Sequence, residues 1–215
     1  MAPDIDGMDF ISKFFSEKAD GYLIDVGACY DNGSSMSRSL IIKGWKGLLI
    51  EPLSYFYKKL KEENKTNDKV QTVKILCSDE DGNGVFYPSK EGTATMSPEW
   101  RDACQNYWNH IKYEKPITMP KATLKSLMEK YNIPQIDFLQ IDTEGHDLYV
   151  LKGMDWSRSP SLICIESLDM CHLERRGSNN QCQLSTELKQ YLDQVGYKCV
   201  KLTKGGNVIF IRKNK

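Results

Sequence analysis

The stretch YLIDVGACYDNGSS, residues 22–35, runs from five strand-like residues, Tyr22 to Val26, straight into Gly27 and then into a polar loop. A short apolar run closed by a glycine turn reads as a strand buried on both faces, the kind from which parallel sheets are made. In such sheets the turn after the first strand is where nucleotide-bearing ligands dock. A loop built for a pyrophosphate carries G-x-G-x-x-G, so that backbone N–H groups can approach the phosphates. Here Gly27 is the one early glycine, and Asp25 and Asp31 stand beside it. Two carboxylates repel a pyrophosphate and attract an ammonium or a sulfonium.

The flanking sequence supplies the rest of the pattern. MDFISKFFSEK places Phe10, Ile11, Phe14 and Phe15 at helical spacing, and SRSLIIKGW reads as a helix ended by Gly44. KGLLIEP (46–52) is a second buried strand, LSYFYKKLKEENK an amphipathic helix, and VQTVKILCS (70–78) a third strand. DEDGNG is a polar turn, and GVFYPS a short further strand. Residues 89–120 are the least regular, with Trp100, Tyr107, Trp108 and Tyr113 among breakers; they read as a loop, a short helix near 98–109 and an extended segment. ATLKSLMEKYN (helix), IDFLQID (136–142, strand), HDLYVLKGM (helix), SLICIE (161–166, strand) and STELKQYLDQVG (helix) restore the alternation. YKCVKLT and NVIFIRK, joined by KGG, close the chain as a hairpin. Strands alternating with helices predict a doubly wound, mostly parallel α/β sheet with an antiparallel edge and helices on both faces. With no repeat or linker, one domain over residues 1–215 is the economical expectation.

Bulk properties agree with this class. A chain of 215 residues is long enough for a full core, and its 40% apolar and 27% charged content is ordinary for a globular protein. Basic and acidic residues balance at 29 each, which gives no electrostatic footprint for nucleic acid or an anionic membrane. The seven cysteines are irregularly spaced without a C-x-x-C pair, so free thiols in a reducing compartment are expected rather than disulfides or structural zinc. No membrane span and no signal peptide are read from the sequence, and the expected location is cytoplasmic.

The strand ends carry the functional argument, because ligands bind beyond them. Asp25, Glu51, Ser78 with Asp79, Asp142 and Glu166 stand at five such ends. The plainer alternative for any one of them is a solvated carboxylate or a helix cap. Glu51, after the second strand, is placed to accept both ribose hydroxyls of an adenosine, which suits NAD as well as other nucleoside cofactors. The acidic first loop discriminates. A cofactor with adenosine at one end and cationic groups at the other is S-adenosylmethionine.

Two stretches, 22–52 and TLKSLMEKYNIPQIDFLQIDTEGHDLYVLKGMDW (123–156), resemble the FkbM-type S-adenosylmethionine-dependent methyltransferases. The core IDFLQIDTEGHDLYVLKG, 136–153, is the more specific part. The resemblance spans about residues 20–166 and fails over 85–120, where such enzymes vary with substrate. It implies a Rossmann-like class I methyltransferase fold with a seven-stranded sheet, and residues 89–120 as a variable substrate-side insert. It implies Asp25, Gly27 and Ala28 at the methionine end of the cofactor, and Ser35 and Ser37 near its carboxylate or capping the next helix. Glu51 would hold the ribose, Pro52 and Leu53 the adenine face, Ser78 and Asp79 its edge, and Asp142 the region of the transferred methyl. Cys29, Tyr30 and Met36 depart from the family pattern.

Methyl transfer to a hydroxyl requires alignment and a base or a metal. IDTEGHD offers Asp142, Glu144, His146 and Asp147. Asp142 and Glu166 are candidate oxygen ligands of a Mg²⁺, a layout similar to that of catechol O-methyltransferase-type sites. His146 reads as a candidate base, or as a surface residue on a first helical turn. His172, in the polar loop after SLICIE, is a rival base, while His110 falls in the insert. The insert's aromatics read equally as a substrate wall or as a satellite core. Arg175, Arg176, Lys115 and Lys121 are candidate contacts for an acidic substrate, or solvated charge. The leading expectation is O-methylation of a sugar, glycan or other small molecule. The rivals are an RNA or other polymer methyltransferase and a non-catalytic binding module of the same fold.

Overall fold

The computed structural model describes residues 4–30, 35–166 and 185–213. In chain order the elements are α1 (Ile5–Phe14), β1 (Tyr22–Val26), α2 (Arg38–Ile42), β2 (Lys46–Ile50), α3 (Ser54–Glu63), β3 (Val70–Val73), β4 (Leu76–Cys77) and β5 (Gly82–Phe86). There follow α4 (Pro98–Tyr107), β6 (Ile117–Ala122), α5 (Leu124–Lys130), β7 (Phe138–Ile141), α6 (Asp147–Lys152), β8 (Leu162–Glu166), α7 (Thr186–Gln194), β9 (Tyr197–Leu202) and β10 (Asn207–Arg212).

Seven strands form the main sheet in the order β3-β2-β1-β7-β8-β10-β9. The first five are parallel, and β10 runs antiparallel to both β8 and β9. Residues alternate between two cores along each strand. Ile24, Leu48, Leu139 and Ile163 meet Leu127, Val150 and Leu188 of α5, α6 and α7 on one face. Leu23, Leu49, Phe138 and Leu162 meet Ile11, Leu40 and Leu60 of α1, α2 and α3 on the other. Each fully buried Leu or Ile contributes about 1.5–3 kcal/mol relative to exposure. This two-sided burial explains why the strands read as continuous apolar runs. Among the described residues no helix is long and apolar enough to cross a membrane. The five cysteines among them, Cys29, Cys77, Cys104, Cys164 and Cys199, are free thiols.

One expectation needs correction. VQTVKILCS is not one strand. The chain leaves the main sheet after Val73, and Leu76 and Cys77 pair instead with Lys121 and Ala122 of a second sheet, ordered β4-β6-β5. Leu76 is buried there with Phe86 and Met119. Tertiary packing thus overrides an apolar run long enough for a single strand. Ser78 and Asp79 accordingly follow β4 of the small sheet, not β3 of the large one.

Candidate functional site

The C-terminal ends of β1, β2, β7 and β8 open onto one cavity of about 470 Å3, within the usual range for small-molecule sites. Asp25, Gly27, Ala28, Ser35, Glu51, Pro52, Asp142, Glu144, His146 and Glu166 all line it.

Close packing sets the first loop. Gly27 has φ 81°, and a Cβ there would stand 1.8 Å from the Asp142 carbonyl oxygen, so only glycine lets β1 and β7 end side by side. The N–H groups of Gly27 and Ala28 both donate to Ile50 O, tying the loop to β2. Cys29 turns through φ 50°, a left-handed conformation uncommon outside glycine, and its N–H donates to Glu51 Oε2 at 2.9 Å. Leu53 N–H donates to Glu51 Oε1 at 2.7 Å. Both oxygens of Glu51 are therefore fixed by backbone, and each keeps a second lone pair. Desolvation by burial nevertheless pushes its carboxyl up to about 7. Asp25 is equally deep. Burial raises it to about 6, partly opposed by Ser37 Oγ, which donates to Oδ2 at 2.5 Å. Ser37 precedes α2 without capping it by its side chain, because that hydroxyl is spent on Asp25.

The turn after β7 gathers acids. Asp142 N–H donates to Val26 O, which seats the residue beside β1. Glu144 has φ 54° and is buried; its Oε2 accepts from Trp100 Nε1 at 2.9 Å, and its carbonyl accepts from Thr95 Oγ1 at 2.7 Å. Carboxylate oxygens of Asp142, Glu144 and Glu166 lie within 4.8 Å of one another. Burial first, and then the neighbouring Glu166 charge, hold the Asp142 carboxyl well above the carboxylate range. Asp147 serves the turn instead, accepting from Thr143 N–H at 2.9 Å and from Thr143 Oγ1 at 2.8 Å.

His146 precedes α6. Its ring stacks on Tyr149 at 4.6 Å and 12°, and its Nε2 lies 3.0 Å from Ser78 Oγ. Burial lowers its pKa to about 4, so the imidazole is neutral near pH 7.

Not every expected residue reaches the cavity. Ser37, Leu53, Ser78 and Asp79 stand outside its lining. Leu53 packs toward Leu76 and Phe86, while Ile75, Leu76 and Cys77 form the wall in front of Ser78. The aromatic insert is a satellite core: Trp100, Ala103, Cys104 and Ile111 pack with Trp108 and Tyr113. The part of it that lines the cavity is the plain stretch from Lys90 to Met96. His110 is exposed, and Lys121 pairs with Glu80 at 2.7 Å. His172, Arg175, Arg176 and Asp31 lie outside the described residues. Sequence reading missed Gln140, Asp4 and Asn207, all in the lining. Asn207 was findable, because an antiparallel strand begins where its parallel neighbours end, and it pairs with Glu166. Asp4 comes with it, accepting from Asn207 Nδ2 at 2.8 Å.

A family model described as the methyltransferase FkbM domain matches residues 25–199. Among solved structures, the methyltransferase FkbM from Methylobacillus flagellatus KT has a TM-score of 0.57 at 12% identity; the match covers 90% of this chain and 44% of that one. This chain thus spans less than half of that protein. The N-terminal domain of human METTL16, solved in complex with SAH, has a TM-score of 0.52 at 12% identity, covering 99% of this chain and 72% of that one. At such identity these likenesses establish the fold, the Rossmann-like class I methyltransferase fold. No curated protein matches.

Proposed function

The chain belongs to the FkbM methyltransferase family, and from that premise we propose that it moves a methyl group from S-adenosylmethionine to a hydroxyl of a sugar, glycan or other small molecule. One observation carries the donor assignment. Asp25 and Glu51, two buried carboxylates on adjacent strand ends, share a cavity whose only Lys or Arg among the described residues is Lys90, itself 3.5 Å from Glu114. A ligand bringing positive charge and hydroxyl donors satisfies both acids; a pyrophosphate satisfies neither.

The donor set fits S-adenosylmethionine, which when bound supplies an electrophilic methyl on its sulfonium. Glu51 accepts ribose hydroxyls on the lone pairs left by Cys29 and Leu53. Asp25, oriented by Ser37, faces the cationic methionine end, beside Gly27 and Ala28. Pro52, Phe56, Ile75 and Leu76 offer the apolar surface that a purine requires. Leu53, Ser78 and Asp79 act from behind this wall rather than as direct contacts.

On the acceptor side, the chain must align a hydroxyl and take its proton. Asp142 is the general base in this reading: burial first, and then the nearby Glu166 charge, raise its affinity for a proton, and Glu144 and Glu166 lie beside it. The same three carboxylates present only hard oxygen donors, a set that fits Mg²⁺. A Mg²⁺ held by Asp142, Glu144 and Glu166 would neutralise their mutual repulsion and lower the pKa of the acceptor hydroxyl.

Calorimetric titration with S-adenosylmethionine tests the donor assignment, and a folded protein that binds none of it defeats the proposal. Methyl transfer to sugars, nucleotide sugars, catechols and short RNAs, each with and without Mg²⁺, tests the acceptor class. Transfer to RNA alone would replace the small-molecule assignment.

A further inference from the structure

The cavity has two unlike ends. Pro52, Phe56, Ile75, Leu76, Phe86 and Met96 make one end apolar, whereas Gln140, Asp142, Glu166 and Asn207 make the other polar. His146 belongs to the apolar end, because its ring bonds Ser78, the residue that follows β4. A flat heteroaromatic base placed there is well covered on its faces, but its polar edge needs partners.

The hydrogen bonds of His146 decide which partner it can be. Ser78 Oγ lies 3.0 Å from Asp79 Oδ1 and 3.0 Å from His146 Nε2. A serine hydroxyl has one proton, and Ser78 Oγ is the donor to Asp79 Oδ1. The serine proton therefore goes to Asp79, and Nε2–H of the histidine donates to the serine oxygen. The neutral imidazole then carries its lone pair on Nδ1. Among the described residues, the ring's hydrogen-bond contact is the one from Nε2 to Ser78. His146 lines the cavity and Ser78 does not; with Nε2 held by Ser78, Nδ1 is the ring nitrogen left for a ligand. Stacking on Tyr149 holds the plane.

We infer that His146 reads the donor's base: fixed as the Nε2–H tautomer by Ser78 and Asp79, it accepts a hydrogen bond at Nδ1 from the exocyclic amino group of adenine. The inference rests on the S-adenosylmethionine reading above. It makes His146 a specificity residue for the donor instead of the acceptor's base. Guanine and hypoxanthine carry a carbonyl at that position, and two facing acceptors repel.

The test compares S-adenosylhomocysteine with S-inosylhomocysteine, in which that amino group is replaced by oxygen, by calorimetry on the parent, His146→Ala and His146→Asn. The parent should prefer the adenosine compound by about tenfold, the worth of one hydrogen bond against an unpaired acceptor. His146→Ala should lose that preference, and His146→Asn, which keeps an acceptor, should retain part of it. In turnover, the alanine loss should fall on the donor KM rather than on kcat. Ring ¹⁵N shifts of the unliganded parent should report the Nε2–H tautomer. Should the alanine variant fail to fold, Ser78→Ala, which frees the tautomer, should weaken the same preference. An alanine variant with undiminished preference, an Nδ1–H tautomer, or a kcat collapse with unchanged donor binding overturns the inference. Failure of the parent to bind either nucleoside overturns the donor reading itself, a result distinguishable from those.

Discussion

Glu51→Gln should uncouple donor binding from pH. In the unliganded protein burial holds the Glu51 carboxyl at about 7, although Cys29 and Leu53 each donate an N–H to it. At that pKa about nine-tenths of the groups are ionised near pH 8 and about one-tenth near pH 6. If only the ionised form accepts the ribose, affinity for S-adenosylmethionine falls about tenfold between those conditions. Asp25, raised to about 6, is half ionised at the lower pH and adds a factor of about two. The parent should therefore weaken about twentyfold from pH 8 to pH 6 by calorimetry, and the glutamine variant by only about twofold. At pH 8 the variant should bind about tenfold more weakly, the loss of a charge-assisted hydrogen bond. Stability should move the other way. A folded pKa raised above the unfolded value means that the native state holds the extra proton, so this contribution falls as pH rises from the unfolded value of 4.5 through about 7. Above that window the ionised buried carboxylate costs about 3 kcal/mol, and Glu51→Gln should melt higher than the parent there. A parent affinity that is flat between pH 6 and pH 8, or a glutamine variant that follows the parent's curve, would refute the reasoning.

Three further outcomes are expected. Gly27→Ala should destabilise the fold by about 3 kcal/mol or more in urea unfolding, because its Cβ has no room beside the Asp142 carbonyl and φ 81° is strained for alanine. Asp142→Asn should lower turnover about 100-fold or more while donor affinity stays within about threefold; if the trio also holds a metal, EDTA should inhibit the parent and added Mg²⁺ restore it. Trp100→Phe keeps the packing of the satellite core but leaves Glu144 Oε2 without its indole donor, and should cost about 1–3 kcal/mol in the same unfolding assay.

The main sheet was readable because two-sided burial writes itself into sequence as short apolar runs, and β1, β2, β7 and β8 each show one. The glycine turn and the acids at the strand ends followed from that frame. What was not readable depends on partners distant in the chain. Nothing local to Lys74 and Ile75 announces that the chain changes sheets; the cause is Met119 and Phe86, which bury Leu76. His146 read in the sequence as a candidate base or a surface residue, and nothing local announced its bond to Ser78, 68 residues away. Trp100 carried no sign that it would donate to Glu144.

That last contact joins the 89–120 segment to the turn after β7. Trp100 and Thr95 hold the side chain and the carbonyl of Glu144, and a Cβ on Gly145 would come within 3.1 Å of Trp100. The insert is therefore not an interchangeable module. Grafting the corresponding segment of another relative onto this scaffold should disturb the β7 turn even when the acceptor pocket is transplanted intact, unless an indole and a hydroxyl return to these two positions. Substitutions meant to reshape this side of the cavity are then best made at Lys90, Glu91 or Ala94, which line it ahead of both anchors and leave the turn alone.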